Sequence, residues 1–277
     1  MNQFYKYHGL GNSYIVLDEN RVDFDIDSTF IRKICSPAFG IGSDGLLLKV
    51  NALNAEYGIR IFNPDGSEAE KSGNGLRIFG KYIFDNFKPG RNFFSVETLA
   101  GNVTIGILEE DEYGASMLRV EMGKALFTSA QIPVLIHQNE VLGYPLKVSD
   151  RIFNIHCVNT GNPHCVIFQD VLDESIVREY GPLIENHRIF PVRTNVQFAR
   201  ILDNDKVELQ IWERGAGYTM ASGSSACAVS AVGKKLGLLS ENVTVLMPGG
   251  QLEIDIADDW SMGLIGPVEK ICQGYLA

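Results

Sequence analysis

The chain has 277 residues, of which 45% are hydrophobic and 21% charged, and its 34 acidic and 24 basic side chains give a net charge of −10. This acidic balance argues against a nucleic-acid partner, and no apolar run approaches the length needed to span a membrane. The five cysteines are odd in number and lack zinc-ligand spacing, which is typical of reduced thiols. We therefore expect a cytoplasmic protein with enough residues for two domain cores.

Apolar periodicity predicts many strands and few helices. The strand-like runs occupy 14–17, 46–50, 57–62, 103–108, 117–122, 165–168, 196–202, 207–212 and 252–256. Long helices are predicted at 74–87 and 224–236, and short helices at 28–34 and 171–180. The second long helix is apolar nearly all round, so it should be buried.

A single offset of 150 residues relates several separated segments of the chain. It takes Ser72-Gly73 to Ser222-Gly223, Gly11-Asn12 to Gly161-Asn162, and Phe62-Asn63 to Trp212-Glu213. Such internal similarity predicts two structurally equivalent halves. We predict an α/β (α+β) fold of two pseudo-symmetric domains, each a mainly antiparallel curled sheet wrapped on a central helix. The predicted domains are 1–125, together with a last strand at 266–277, and 126–265.

Ser72 and Ser222 each stand where a predicted helix begins. A helix N-terminus presents N–H groups without intrahelical partners and partial positive charge, so it suits a carboxylate or a phosphate. Serine is also a preferred N-cap, and an ordinary cap is the alternative interpretation for either residue alone. The matched pairing, with glycines that allow close backbone approach, favours a functional role.

Polar side chains gather around these two junctions, and together they could bind both the ammonium and the carboxylate of an amino acid. They are Asn12, Asn63, Asn162, Asn195, Glu213 and Arg214. Turn chemistry is the alternative for the asparagines, and a solvated strand end with a local ion pair is the alternative for Glu213 and Arg214. The histidines lack metal-ligand spacing, and a structural role is expected for His164.

Several segments in order resemble the diaminopimelate epimerase family. They are 8–12, 63–68, 161–164, 193–196, 213–217 and the turn at 249–250. The resemblance runs the length of the chain and implies a cofactor-independent isomerase with no metal, which inverts one α-carbon of LL-diaminopimelate to give the meso form. It implies an amino-acid ligand in a cleft between two domains, and a homodimer by analogy with a family that often pairs.

By position, Ser72 and Ser222 occupy the sites of the two cysteines that act as base and acid in that family. The resemblance implies substrate contacts from Asn12, Asn63, Asn162, Asn195, Glu213 and Arg214, and from the helix-start residues Gly73, Asn74, Gly223 and Ser224. Gly45 stands where some members have glutamine.

Serine at both catalytic positions is a serious departure from the family. A thiolate is accessible near neutral pH, whereas a serine hydroxyl needs an adjacent base. We therefore expect binding to survive and efficient epimerisation to be lost, unless Glu213 or His164 activates the hydroxyls. Three explanations compete: cysteines deliberately replaced by serine, a natural Ser/Ser branch with a different amino-acid substrate or a different base, and an amino-acid-binding protein that has lost catalysis. Lys71, Tyr218 and Ser225 also differ from the family pattern, which favours the natural branch.

Overall fold

The computed structural model describes residues 2–277. The chain divides into two compact units. One unit is formed by the chain up to Glu121 together with Ile265–Ala277, and the other by Met122–Leu264.

Among the described residues, the chain forms eight strands and two α-helices in the first unit, and the eighth strand runs on into the second unit. These are β1 (Gln3–Gly9), β2 (Asn12–Asp18), α1 (Ser28–Cys35), β3 (Leu46–Val50), β4 (Tyr57–Phe62), β5 (Glu68–Ala69), α2 (Gly73–Phe87), β6 (Phe93–Thr98), β7 (Gly101–Asp111) and β8 (Gly114–Lys124). Neighbouring strands pair mostly antiparallel, but β2–β3 and β4–β6 are parallel.

The second unit repeats this succession after one additional strand at its start. Its elements are β9 (Leu142–Val148), β10 (Arg151–Asn159), β11 (Pro163–Phe168), α3 (Glu174–Glu185), β12 (Asn195–Asp203), β13 (Lys206–Glu213), β14 (Gly217–Thr219), α4 (Gly223–Lys235), β15 (Asn242–Met247), β16 (Gly250–Ile256) and β17 (Ser261–Pro267). Its parallel steps, β11–β12 and β13–β15, fall where the first unit has β2–β3 and β4–β6. The last strand, β18 (Glu269–Tyr275), pairs antiparallel with β1.

Each unit has one long helix packed against its sheet, as the fold-class prediction requires. The first turns of α2 are buried, and the helix contacts β1, β2 and β7. A Cβ added at Gly80 would lie 2.7 Å from Ile105 Cγ2, so the absence of a side chain allows α2 to approach the sheet closely. Helix α4 is buried from Gly223 to Gly233 and contacts β10–β13, β15 and β16. The predicted α/β fold of curled sheets around central helices is confirmed.

Local predictions were less accurate than the fold class. The helix expected at 171–180 instead begins at Glu174, after Asp173 accepts the Ser175 N–H at 2.8 Å, and runs to Glu185. Gly181 lies within α3 where the Trp212 ring packs, and a Cβ there would stand 2.6 Å from Trp212 Cγ, so the absence of a side chain allows this close contact. None of the helices in the described part of the chain is long and apolar enough to span a membrane.

Candidate active site

Ser72 caps the first long helix. Its backbone is extended (φ −143°, ψ 119°), and its Oγ accepts the Gly75 N–H at 3.0 Å. The same Oγ lies 3.3 Å from the hydroxyl of Tyr14, a buried residue of β2. The bond to Gly75 is the N-cap arrangement that the alternative interpretation of this serine predicted.

Asn74 links the start of α2 to the β1–β2 turn. Its Nδ2 donates to Asn12 Oδ1 at 3.1 Å, and its Oδ1 accepts from Nη2 of the fully buried Arg77 at 2.8 Å. The Arg77 bond fixes which end of the Asn74 amide faces Asn12. Because Asn12 Oδ1 is engaged in this way, its Nδ2 is the end of the amide left for a ligand.

Asn63 lies in a turn of the first unit. Its N–H donates to the Ser67 carbonyl at 2.8 Å, and its Nδ2 donates to Ser67 Oγ at 3.0 Å. Gly66, at φ +87°, completes this turn. The local bonds are those of the turn chemistry considered as the alternative for this asparagine. Its place beside the Ser72 junction therefore stays a prediction.

Gly45 has a structural reason to lack a side chain. A Cβ there would lie 2.5 Å from Cε1 of the Tyr14 ring and 2.6 Å from the Phe62 carbonyl oxygen. Any larger residue, such as the glutamine of some family members, would have to displace Tyr14 from its position beside Ser72. Sequence reasoning missed Tyr14, although its spacing of two from Asn12 along one strand indicates the same face.

Ser222 begins the second long helix with the same extended backbone (φ −149°, ψ 122°), but it makes no side-chain cap bond. Its Oγ instead donates to Glu213 Oε2 at 3.2 Å and lies 3.4 Å from Ser224 Oγ. The hydroxyl of Thr219 donates to Glu213 Oε1 at 2.6 Å. Antiparallel pairing of Glu213 with Gly217 in the β13–β14 hairpin carries Thr219 to this carboxylate, a residue that the sequence analysis did not single out.

The Glu213 carboxylate is partly buried. Burial raises its pKa above the usual value, and the bonds from Thr219 and Ser222 oppose that rise only in part. A carboxylate with a raised pKa is a stronger base than an exposed one, and it lies in direct contact with the Ser222 hydroxyl. The arrangement can therefore accept a proton from that hydroxyl.

His164 lies against Asn162 rather than against a serine. Its Nε2 is 2.6 Å from Asn162 Oδ1, and the ring is fully buried. Burial lowers the pKa of His164 to about 3, so the ring is neutral at physiological pH. Since an amide oxygen only accepts, Nε2 carries the ring proton and donates it to Asn162. Between the two candidate activators, Glu213 is the one in contact with Ser222.

Asn195 and Arg214 are joined to each other. Asn195 is buried, its Nδ2 donates to the Pro163 carbonyl at 2.9 Å, and its Oδ1 accepts the Arg214 N–H at 3.0 Å. The Arg214 Nη1 donates to the Val192 carbonyl at 3.1 Å. The second unit thus brings Asn162, Asn195 and Arg214 to neighbouring strand ends, since parallel pairing sets His164 beside Asn195.

The starts of α2 and α4 are surfaces on which a carboxylate could bind. Gly73 and Asn74 open one helix, and Gly223 and Ser224 open the other. The first N–H groups of a helix have no intrahelical partner and lie at the positive end of its dipole. Within residues 2–277 no group of three or more His, Cys, Asp or Glu side chains could hold a metal ion.

Comparison with known proteins gives a consistent result. The family model described as diaminopimelate epimerase matches residues 4–128 and 156–271. A diaminopimelate epimerase 2 from Nostoc sp. is 45% identical to the chain, covering 99% of it and 95% of that relative. A diaminopimelate epimerase from Carboxydothermus hydrogenoformans is 42% identical, covering 98% of both chains.

Solved structures support the fold. A probable proline racemase from Agrobacterium radiobacter superposes with a TM-score of 0.73 at 12% identity, covering 99% of this chain and 92% of its own. A hydroxyproline epimerase from Agrobacterium vitis gives 0.72 at 13% identity, covering 99% and 90%. At such identities the likeness concerns the fold alone. The family model and the close relatives confirm the resemblance found in the sequence, and the chain belongs to the diaminopimelate epimerase family of isomerases.

Proposed function

We propose that this protein is an amino-acid epimerase that inverts an α-carbon of diaminopimelate, with Ser72 and Ser222 as the two positions that exchange protons with that carbon. The observation that carries the proposal is the contact of Ser222 Oγ with the Glu213 carboxylate. A serine hydroxyl acts as a base only with an adjacent proton acceptor, and Glu213 is such an acceptor. The proton transfers use side chains alone, without a cofactor.

In this proposal the substrate's reacting carboxylate binds at the helix starts. The N–H groups around Gly73 and Asn74 and around Gly223 and Ser224 favour negative charge. They also favour the carbanion-like state that forms when the α-proton leaves, because its charge spreads onto that carboxylate. This binding explains why glycine follows each serine, since a bulky side chain would keep the ligand from the backbone.

The end of the substrate away from the reacting carbon is assigned to the polar side chains of the strand ends. Asn162 offers its Nδ2, because His164 engages its Oδ1. Arg214 supplies a guanidinium suited to a second carboxylate. Asn12, Asn63 and Asn195 complete the set implied by the family. The names of the close relatives support diaminopimelate, which has a carboxylate at both ends.

The proposed chemistry is unequal at the two serines. Ser222 has a carboxylate beside it, whereas Ser72 accepts the Gly75 N–H and contacts the Tyr14 hydroxyl. A hydroxyl held by a helix N–H and a phenol is better placed to give a proton than to take one. We therefore expect slower turnover than a thiol pair would give, with Ser222 as the base and Ser72 as the acid in one direction and the two roles reversed in the other.

The test of the proposal is incubation with LL-diaminopimelate, and separately with other amino acids, in heavy water. Proton NMR follows deuterium uptake at the α-carbon, and chiral chromatography follows inversion. We expect uptake and conversion to the meso isomer for diaminopimelate above all other amino acids tested. Preferred turnover of another amino acid would overturn the substrate assignment, and absence of exchange with any of them would overturn the epimerase assignment.

A second candidate function is non-catalytic binding of an amino acid. The bond between Ser72 Oγ and the Gly75 N–H favours it, because that serine fulfils an ordinary capping role. This alternative predicts saturable binding of diaminopimelate by calorimetry with no α-hydrogen exchange. The heavy-water experiment therefore separates the two functions.

A further inference from the structure

We infer that Glu185 is a positioning residue that holds the Asn195 and Arg214 segments in the geometry required for ligand binding. Glu185 ends α3, and its side chain is only about 6% exposed. Three donors from other segments converge on its carboxylate. Oε1 accepts from the Gly215 N–H at 2.9 Å and from Arg193 Nη1 at 3.1 Å, and Oε2 accepts from Trp212 Nε1 at 2.8 Å.

These donors flank the candidate ligand-binding residues in sequence. Arg193 precedes Asn195 by two positions, and Trp212 and Gly215 lie on either side of the pair formed by Glu213 and Arg214. Glu185 therefore joins the segment before β12 to the turn after β13. Glu185 itself does not contact a ligand. It holds both segments in place through the backbone and side chains that flank Asn195 and Arg214.

The backbone conformation of Arg193 indicates that the segment before β12 needs contacts from the surrounding structure to keep its geometry. Arg193 has φ +61°, a left-handed conformation that is uncommon for residues other than glycine. Such conformations persist where the surrounding structure fixes them, and they cluster at functional sites. The Arg193 N–H donates to the Phe190 carbonyl at 2.9 Å, and its guanidinium binds Glu185. The left-handed residue sets the direction in which the chain enters Thr194 and Asn195.

Helix stability does not account for a glutamate at this position. The C-terminal end of a helix carries partial negative charge, so a carboxylate in the last turn is electrostatically unfavourable. A buried charge also needs full hydrogen bonding to be tolerated. The Glu185 carboxylate meets that need through Arg193, Trp212 and Gly215, which flank the two ligand-binding segments. Positioning those segments therefore accounts for a glutamate at an electrostatically unfavourable place.

The test is the Glu185→Gln variant, with Glu179→Gln as the matched control. Glu179 lies on the same helix at an exposed position. A glutamine at 185 has one acceptor oxygen. If that oxygen accepts from Gly215 and Arg193, the NH₂ group of the glutamine faces the Trp212 N–H, and two donors cannot form a hydrogen bond with each other. One of the two segments must then lose its bond.

Hydrogen–deuterium exchange of the ligand-free variants reads the positioning directly. We expect faster exchange in Glu185→Gln at 193–195 and 213–217, unchanged exchange at 72–76, and no change anywhere in these segments for Glu179→Gln. Unchanged exchange at both 193–195 and 213–217 in Glu185→Gln would overturn the inference. This readout does not depend on which ligand the protein binds.

Calorimetry then tests the consequence for binding, which rests on the proposed function. The loss of one buried donor bond should raise the Kd of diaminopimelate about tenfold in Glu185→Gln, and that of L-lysine, which lacks the second carboxylate, less than about threefold. An equal rise for both ligands, or none for diaminopimelate, would overturn the positioning role. If the parent protein does not bind diaminopimelate, the proposed substrate fails, and the exchange result alone decides the role of Glu185.

Discussion

Replacing Glu213 with glutamine is the change that bears most directly on how a serine could act as a base here. Ser222 Oγ donates to Glu213 Oε2 at 3.2 Å, and Thr219 donates to Oε1 at 2.6 Å. In the variant the amide oxygen can still accept from Thr219, but its NH₂ then faces Ser222 and can take no proton from it.

General-base assistance is worth about 10²- to 10⁴-fold in rate, which is about 3–5 kcal/mol of activation free energy. We therefore expect Glu213→Gln to lower kcat/KM for inversion by at least about a hundredfold in both directions, because the forward and reverse reactions share their transition states. The assay is α-deuterium exchange of diaminopimelate across pH. A Glu213→Gln rate within about threefold of the parent at every pH would refute the assignment of Glu213 as the base.

The pH profile supplies the control. Glu213 must be ionised to accept a proton, so activity should fall as the pH drops through its raised pKa. The Thr219 bond lowers that pKa, so Thr219→Val should move this acid limb to higher pH while preserving the plateau rate. Glu213→Gln should lack the limb altogether. A limb at the same pH in all three proteins would assign it to another group.

Three further outcomes follow from the unequal serines. Ser72→Ala removes a cap bond to Gly75 and should lower the free energy of unfolding by about 1 kcal/mol at all pH values. Ser222→Ala removes a donor to ionised Glu213, so the loss of stability that it causes should decrease as the pH drops through the Glu213 pKa. Chemical denaturation at several pH values measures both effects. The folded-state pKa of Glu213 is raised above its unfolded value of about 4.3, so burial of the ionised carboxylate destabilises the protein above the folded-state pKa, and this destabilisation is lost as the pH falls from the folded-state to the unfolded-state pKa. Glu213→Gln should therefore be more stable than the parent at pH 7, and the difference in unfolding free energy should decrease at acid pH. A difference that does not change with pH would contradict the burial effect. Ser72→Cys combined with Ser222→Cys should raise the rate of epimerisation at least about tenfold, because a thiolate forms far more readily than an alkoxide. Neither single change should suffice, because inversion needs both a base and an acid. The full gain in rate from one cysteine alone would contradict proton transfer on two faces.

The sequence predicted the long helices closely because their signals are local. Both α2 and α4 begin one residue before the predicted start, directly after the matched serines. Strands without clear alternation were missed. Strand β9 contains Gly143 and Pro145, so it lacks the apolar pattern of a half-buried strand. Strand β18 lies within the last strand predicted at 266–277, although it is polar and exposed along most of its length.

The chemistry around the serines could not be predicted from the offset of 150 residues. That offset matches Asn63 with Glu213, yet Asn63 is bound to Ser67 in its own turn while Glu213 contacts Ser222. The difference arises from side-chain direction and from the β13–β14 hairpin, which brings Thr219 to the carboxylate. A repeat fixes equivalent backbone positions but leaves side-chain partners to tertiary packing.

The measurement that tests the central claim most directly is α-deuterium exchange by Ser72→Ala and Ser222→Ala, each with LL- and meso-diaminopimelate in heavy water. If the two serines serve opposite faces of one α-carbon, each variant loses inversion but keeps the base on one face. The account predicts that Ser72→Ala, which keeps Ser222 and Glu213, exchanges the α-hydrogen of only one isomer. It predicts that Ser222→Ala exchanges only the opposite isomer, and more slowly, because no carboxylate lies beside Ser72. Exchange of the same isomer by both variants, or undiminished inversion by either, would contradict it.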